Sequence, residues 1–91
     1  MSYEVKFRPE AEEDLARIAK QDRAVAQRIL SKIRWLSTNC TFVHHEPLLG
    51  DLAGFYKRRI GDYRVIYMID SYNQSIEICF IGHRKDVYKP G

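Results

Sequence analysis

Apolar and polar residues alternate at the start of the chain and then recur at helical spacing. Residues 3–8 alternate strictly, which is the period of a half-buried strand, and Pro9 ends this pattern. A proline followed by acidic residues is typical of a helix N-terminus, and Asp22 is predicted to cap a second helix. The apolar positions of the two helices are Ala11, Leu15, Ile18 and Ala19, and then Val25, Ile29, Ile33 and Leu36. Because the connection is short, the helices are predicted to form an antiparallel hairpin.

The rest of the chain is predicted to be a loop followed by three strands. Periodicity disappears over residues 37–54, where turn residues and a proline favour a surface loop. Strand-like runs follow at 55–60, 63–69 and 75–81, and the separators between them are short enough for hairpins. The predicted fold is α+β in one domain, residues 1–91: an N-terminal strand, an antiparallel helical hairpin and a three-stranded antiparallel meander, with the helices packed on one face of a small sheet.

The turn Gly61-Asp62 sets the register of the first predicted hairpin. It places Arg59 opposite Arg64, so that two guanidinium groups face each other, which is destabilising. Alternation then divides the side chains between two faces. Toward the helices point Tyr56, Ile60, Tyr63, Val65 and Tyr67, and away from them point Phe55, Lys57, Arg59, Arg64, Ile66 and Met68. Arg58 falls on the helix side, where this register offers no partner for its charge.

The composition is that of an ordinary globular domain with an excess of positive charge. The 91 residues are 45% hydrophobic and 30% charged, with a formal net charge of +3. No apolar run approaches the length of about 20 residues that spans a bilayer, and no secretory signal is recognisable, so the cytoplasm is the predicted compartment. Cys40 and Cys79 fit no metal-binding spacing and are interpreted as reduced thiols. No metal or other cofactor is predicted.

The cations that point away from the helices form a candidate phosphate-binding surface. Lys57, Arg59 and Arg64, joined by Arg84 and Lys85 after the last strand, are able to neutralise several phosphates and to hold one of them bidentately. The alternative is a solvated sheet face that lysine and arginine keep soluble. The opposed Arg59 and Arg64 favour a bound anion, because an anion would relieve their repulsion.

Two further residues near this surface suit chemistry on RNA. His83 ends a strand and has a side chain that transfers protons near neutral pH. Tyr88 is able to stack on a base or simply to anchor the C-terminal tail. No carboxylate pair, glycine-rich phosphate loop or nucleophile triad is recognisable. Cations with a histidine and a tyrosine suit attack by an RNA 2′-hydroxyl on its adjacent phosphate, which needs no metal.

The second half of the chain contains two motifs, LxGxYKxRIGDYRVIY from Leu52 to Tyr67 and IGHRKDVY from Ile81 to Tyr88. With the order of strand, helical hairpin and three strands, they resemble the RelE/ParE superfamily of bacterial toxins, and within it the RelE branch. The resemblance implies the toxin of a type II toxin–antitoxin system. Such a toxin is an endoribonuclease that enters the decoding site of the 70S ribosome, cleaves messenger RNA and stops translation until a RelB-like antitoxin binds it.

The resemblance also implies roles for individual residues. The catalytic residues that it implies are Lys57, Arg59, Arg64, His83, Arg84 and Tyr88. Among these, Arg64 would hold the phosphate, Tyr88 would orient the substrate and His83 would be the general acid. The RNA-binding residues would be Lys57, Arg58, Arg59, Arg64, Arg84 and Lys85. Some relatives use a glutamate as general base, but no glutamate of this sequence is placed in that role, and Lys57 is an alternative base.

Three other interpretations are consistent with the sequence, one of which is a degenerate toxin retained mainly for its partner. A ParE-like protein of the same fold inhibits DNA gyrase and requires neither the basic sheet face nor Tyr88. A non-catalytic RNA- or ribosome-binding module would use the same face as a phosphate platform and leave the message intact. On the RelE interpretation the partners are the antitoxin and the ribosome with its message, DNA is contacted only through the antitoxin, and no membrane partner is expected.

Overall fold

Two helices and a mixed β-sheet make up residues 2–84, the part of the chain that the computed structural model describes. In chain order the elements are β1 (Glu4–Phe7), α1 (Pro9–Gln21), α2 (Arg23–Thr38), β2 (Glu46–Pro47), a 3-10 turn (Gly50–Leu52), β3 (Tyr56–Ile60), β4 (Tyr63–Asp70) and β5 (Ser75–His83). The described strands form one sheet in the order β1-β5-β4-β3-β2, and the helices pack on one of its faces. The predicted α+β fold class is therefore confirmed.

The last three strands form the predicted antiparallel meander, and β1 completes the sheet beside β5. β1 runs parallel to β5, with Val5 opposite Ile76 and Phe7 opposite Ile78. Alternation predicts β1 as a strand but carries no information about its partner. That partner is decided by the helical hairpin, which covers one face of the sheet and leaves β1 to pair along its edge.

Local sequence signals set the start of each helix, as predicted. Pro9 is the first residue of α1, and acidic side chains occupy its first turn, where they interact favourably with the helix dipole. Asp22 caps α2, because its carboxylate accepts hydrogen bonds from the backbone N–H groups of Ala24 and Val25 at 3.1 and 3.3 Å. Buried against the sheet are Ala11, Ile18, Ala26, Ile29, Ile33 and Leu36. Neither helix described here is long and apolar enough to cross a bilayer.

A carboxylate of α1 also satisfies the backbone of the sheet. β1 ends at Phe7, so the later residues of β5 have no neighbouring strand on that side. The backbone N–H of Ile81 instead donates to Asp14 Oδ2 at 3.0 Å, while Arg17 binds the other oxygen of the same carboxylate at 3.1 Å. An unpaired buried N–H group is destabilising, so this hydrogen bond stabilises the packing of α1 against β5.

Residues 37–54 contain more regular structure than the sequence predicts. The segment includes the 3-10 turn and also β2, which pairs antiparallel with β3 through Glu46 opposite Lys57 and Pro47 opposite Tyr56. A two-residue strand is too short to show alternation, and its proline is tolerated because β2 lies at the edge of the described sheet. The expectation of an irregular surface loop is corrected in this respect.

The β3–β4 hairpin has the predicted register. Ile60 pairs with Tyr63 and Arg59 pairs with Arg64, across a two-residue turn in which Gly61 has a φ of 60°. Glycine adopts this left-handed conformation readily, whereas other residues are strained in it. The turn therefore holds the two strands in one register and decides which side chains meet across them.

Replacing the α2 cap tests this description of the helical hairpin. Asp22→Ala removes the acceptor for two backbone N–H groups, and we expect the free energy of unfolding to fall by about 1 kcal/mol. Urea denaturation followed by circular dichroism measures the change. The control is Glu13→Ala, an exposed position within α1, where we expect a change below about 0.5 kcal/mol. Equal effects of the two substitutions would contradict the capping role of Asp22.

Candidate functional site

Three of the predicted site cations lie together on the outer face of the sheet, which is the face turned away from the helices. Alternation along β3 and β4 places Lys57, Arg59 and Arg64 there, because their strand neighbours pack into the core under the helices. Arg84 follows β5, and its backbone N–H donates to the Asp62 carbonyl at 2.8 Å, beside the β3–β4 turn. We call Lys57, Arg59 and Arg64 the basic face, and Arg84 lies next to it in the chain fold.

The two facing arginines are arranged differently. Arg59 is exposed, and its Nε donates to the Gly61 carbonyl at 3.0 Å, so its guanidinium is drawn toward the turn. Arg64 is half-buried and pairs on its other side with Gly82, which has no side chain to cover it. Solvent screens part of the repulsion between the two charges, and an oxyanion bound between them would remove more of it.

The structure brings to the basic face a carboxylate that the sequence did not identify. Glu46 lies directly opposite Lys57 in the β2–β3 pair, and its Oε2 is 3.1 Å from Lys57 Nζ. The Glu46 side chain is 59% exposed and the Lys57 side chain 27%, so the Glu46 side chain is the more accessible of the two. No motif signals this contact, because it depends on a strand of two residues.

Arg8 is a further cation of the outer face that sequence reasoning did not include. Its Nη2 lies 3.3 Å from Glu77 Oε1 and 3.5 Å from Met68 Sδ, and its guanidinium is 6.0 Å from the centre of the Phe55 ring. The hydrogen bond to Glu77 raises the pKa of Arg8 and partly neutralises its field. The alternation of residues 3–8 was the sequence signal that could have placed Arg8 on this face. Its ion pair with Glu77 argues against a direct role in binding a phosphate.

Arg58 lies on the opposite side of the sheet from the basic face. Its Nη2 donates to the His44 carbonyl at 2.7 Å, and its guanidinium is 5.6 Å from the centre of the Trp35 ring on α2. Adjacent residues of a strand point to opposite faces, so Arg58 cannot share a surface with Lys57 and Arg59. This is the side on which the predicted register places Arg58, and RNA binding by Arg58 stays a prediction that the basic face does not include. Its contacts also supply the partners that the predicted register did not offer.

His83 is separated from Arg64 in the same way. It pairs with Tyr63 between β4 and β5, and the two rings meet edge-on with their centres 5.6 Å apart. Tyr63 packs against the core, so His83 occupies the helix side of the sheet at its end. The described geometry does not bring its imidazole to the basic face, and its role as general acid stays a prediction. The predicted site residues Lys85 and Tyr88 lie outside the described residues.

The two cysteines are buried thiols that are not activated as nucleophiles. Burial raises the pKa of Cys40, and it raises the pKa of Cys79 to about 11, so both thiols are protonated at neutral pH. Within residues 2–84, no three side chains of His, Cys, Asp or Glu are placed to hold a metal ion. The groups that the described basic face offers are guanidinium and ammonium groups and the adjacent Glu46 carboxylate.

Comparison with known proteins places this chain in a toxin family. A family profile described as ParE toxin of type II toxin-antitoxin system, parDE, matches residues 5–88. The chain therefore belongs to this family of the RelE/ParE superfamily. Toxin RelE of Mycobacterium tuberculosis is 43% identical over 44 residues, which are 48% of this chain and 45% of that protein. The chain thus spans about half the length of the curated relatives that it matches.

Solved structures share the fold over nearly all of the chain. A chain of the toxin–antitoxin complex RelBE2 from Mycobacterium tuberculosis has a TM-score of 0.80 at 30% identity, over 94% of this chain and 95% of that chain. A chain of the archaeal RelE–RelB complex from Pyrococcus horikoshii has a TM-score of 0.71 at 27% identity, over 96% and 100% of the two chains. These similarities confirm the predicted RelE-like fold and superfamily.

The state of the cysteines is testable by alkylation. A rise in the pKa of Cys79 from 9.0 to about 11 lowers its thiolate fraction at pH 8 about 100-fold. We therefore expect iodoacetamide to modify Cys79 at least about 100-fold more slowly in the native protein than in guanidinium chloride, with Cys40 also slowed. Mass spectrometry of peptides over time measures both rates. Native modification of Cys79 at the unfolded rate would contradict its burial.

Proposed function

We propose that this protein is the toxin of a type II toxin–antitoxin system and a metal-independent endoribonuclease that cleaves messenger RNA in the decoding site of the ribosome. The observation that carries the proposal is the convergence of Lys57, Arg59 and Arg64 on one sheet face, with the Glu46 carboxylate 3.1 Å from Lys57. Such a face combines charges that bind a phosphate with a group that accepts a proton. Membership of the family and similarity to RelE support the proposal.

On this proposal the RNA supplies its own nucleophile. The 2′-hydroxyl oxygen attacks the adjacent phosphorus, the bond from phosphorus to the 5′-oxygen breaks, and the products carry a 2′,3′-cyclic phosphate and a 5′-hydroxyl. Glu46 accepts the proton of the 2′-hydroxyl. Arg64 and Arg59 bind the non-bridging oxygens, whose negative charge increases in the transition state.

Lys57 orients the base in this scheme and is not itself the base. Its ammonium lies 3.1 Å from Glu46 Oε2, and the carboxylate stabilises the protonated ammonium, which has no lone pair to accept a proton. The ion pair also restricts the rotamers of the Glu46 side chain and so directs the second carboxylate oxygen toward the substrate. Glu46 thus fills the general-base role for which the sequence alone offered only Lys57.

A proton must also reach the 5′-oxygen as it leaves. Among the other catalytic residues that the resemblance implies, Arg84 follows β5 next to the β3–β4 turn, and we propose that it adds charge for the phosphate. His83 as general acid and Tyr88 as the residue that orients the substrate remain parts of the proposal, as does RNA binding by Lys85.

The proposed partners follow from the charge of this face and from the solved relatives. Three clustered cations, with Arg84 next to them, favour an anionic partner, and a ribosome carrying message in its decoding site presents one. RelE is found with RelB in the archaeal complex, so we propose a RelB-like antitoxin that covers the basic face. DNA would be contacted only through that antitoxin, and the site of action would be the cytoplasm.

Gyrase inhibition is the second candidate function, because the matching family profile is described by the ParE toxin. A gyrase inhibitor would not require Lys57, Arg59 and Arg64 to converge with a carboxylate, which is why we prefer RNA cleavage. A non-catalytic ribosome-binding module is a third possibility, and it would use the basic face without cleaving the message.

Incubation with programmed ribosomes tests the proposed activity. We expect the purified protein to cut message on ribosomes but not naked message, and Arg64→Ala to lower the cleavage rate about 10²- to 10³-fold by removing charge at the phosphate. Primer extension maps the new RNA ends. The matched control is Arg23→Ala, which removes an exposed arginine on the helix layer and should leave cleavage unchanged.

Each other outcome assigns a different function. Intact message on ribosomes that bind the protein would replace the proposal with a binding module. No ribosome binding, combined with inhibition of gyrase supercoiling that survives Arg64→Ala, would assign the ParE-type activity. Equal loss of cleavage in Arg64→Ala and Arg23→Ala would show that the basic face is not the site.

Substitution of Glu46 tests the identity of the base. We expect Glu46→Gln to lower kcat about 10²- to 10⁴-fold with little change in KM for ribosomes, because the amide accepts no proton. The acidic limb of the pH–rate profile, where a carboxylate base becomes protonated, should disappear in Glu46→Gln and persist in Lys57→Met. Loss of that limb in Lys57→Met alone would instead identify Lys57 as the base.

A further inference from the structure

The segment between α2 and β2 is held by a hydrogen-bonded cluster on the helix side of the sheet. His45 Nε2 lies 2.7 Å from the Cys40 carbonyl oxygen, and His45 Nδ1 lies 2.7 Å from the Tyr67 hydroxyl. Arg58 adds a third contact through its hydrogen bond to the His44 carbonyl at 2.7 Å. We call the two hydrogen bonds of the His45 ring the His45 latch.

The chemistry of the partners decides the direction of both hydrogen bonds in the latch. A carbonyl oxygen only accepts, so Nε2 carries the hydrogen and donates to Cys40. In the neutral imidazole Nδ1 is then the acceptor, and the Tyr67 hydroxyl donates to it. Burial raises the pKa of Tyr67, which keeps this hydroxyl protonated and able to donate. Both ring nitrogens are thereby satisfied, and the imidazole has one orientation.

Aromatic packing holds the same ring in place. The centre of the His45 ring lies 5.8 Å from that of Tyr56 and 5.7 Å from that of Tyr67, in edge-on contacts, and the two tyrosines stack on each other at 5.8 Å. Tyr67 is fully buried on the central strand β4. The latch therefore connects the segment before β2 to Tyr67, a fully buried residue of the close-packed core.

The latch acts on Glu46 because His45 directly precedes it in the chain. Glu46 is the first residue of β2, so a His45 ring fixed on the helix side holds the backbone that leads into β2 while the Glu46 carboxylate lies on the outer face, beside Lys57. β2 has only two residues and lies at the edge of the described sheet, so its backbone pairing alone gives it little stability. A rotation of the segment would move the carboxylate away from Lys57.

We propose that His45 and Tyr67 are positioning residues that hold Glu46 at the basic face from the opposite side of the sheet. The proposal rests on the proposed function insofar as Glu46 is the general base. It assigns a role in RNA cleavage to two side chains that do not touch the substrate. It also explains the hydroxyl of Tyr67 in the core, because phenylalanine would fill the same space without one.

Removal of the Tyr67 hydroxyl is the sharpest test. In Tyr67→Phe we expect the backbone amide of Leu48, which donates to the Phe55 carbonyl at 2.9 Å, to exchange with deuterium about tenfold faster. We also expect kcat on programmed ribosomes to fall between about 10- and 100-fold at unchanged KM. Tyr3→Phe is the matched control, since it removes a hydroxyl from a partly buried tyrosine elsewhere on the core, and neither quantity should change.

His45→Ala is a second variant, at a half-buried residue, and it serves if Tyr67→Phe disturbs folding of the core. His45→Ala should reproduce both the faster exchange of the Leu48 amide and the lower kcat. When it is combined with Tyr67→Phe, both quantities should stay within about twofold of their values in His45→Ala, because the two substitutions break the same hydrogen bond. Unchanged Leu48 exchange in both variants would overturn the proposal, and so would faster exchange with unchanged kcat. If the wild-type protein cleaves no RNA, the exchange rates still decide whether the latch holds β2, and only the proposed function fails.

Discussion

The pairing of β3 with β4 across the Gly61-Asp62 turn is the interaction on which both the core and the basic face depend. The left-handed conformation of Gly61 sets this pairing, and alternation then sends Tyr56 and Ile60 under the helices and Lys57 and Arg59 to the outer face. A slip of one residue would exchange the two sets, exposing apolar side chains and burying cations. One backbone register thus determines both which apolar side chains are buried and which cations share a face. A change of register would alter both together.

The strands around this hairpin differ in how well their neighbours support them, and the least supported strand, β2, carries Glu46. β4 and β5 lie inside the described sheet, and Asp14 of α1 satisfies the N–H of Ile81 where β1 no longer covers it. β2, by contrast, is a two-residue edge strand, yet it carries the one carboxylate that the structure adds to the basic face. Side chains from the core side, His45 and Tyr67, compensate for that weakness. On the proposed function Glu46 is the general base, and a base on a weak edge requires such support, because its geometry must be kept within a fraction of an ångström.

Much of the fold could be predicted because the deciding signals are local. A proline and an acidic run begin α1, Asp22 caps α2, and a glycine-led turn joins β3 to β4, and each acts through its immediate neighbours. The positions of Lys57, Arg59 and Arg64 followed from the same turn. The contacts that depend on tertiary packing were missed. Arg58 belongs to a contact with Trp35 and His44, and His83 to a contact with Tyr63, and neither contact has a sequence signature.

The sequence by itself determined the helical hairpin, the meander and the three cations of β3 and β4, because short-range periodicity and one turn specify them. Its two motifs, by resemblance, also indicated the superfamily. The tertiary structure alone decided that β1 pairs with β5, that Glu46 faces Lys57 and that His45 is bound to Tyr67. These contacts join residues that lie 11 to 71 positions apart or on strands too short for periodicity. Their formation depends on how the hairpin and the sheet pack against each other, which no local pattern of residues encodes.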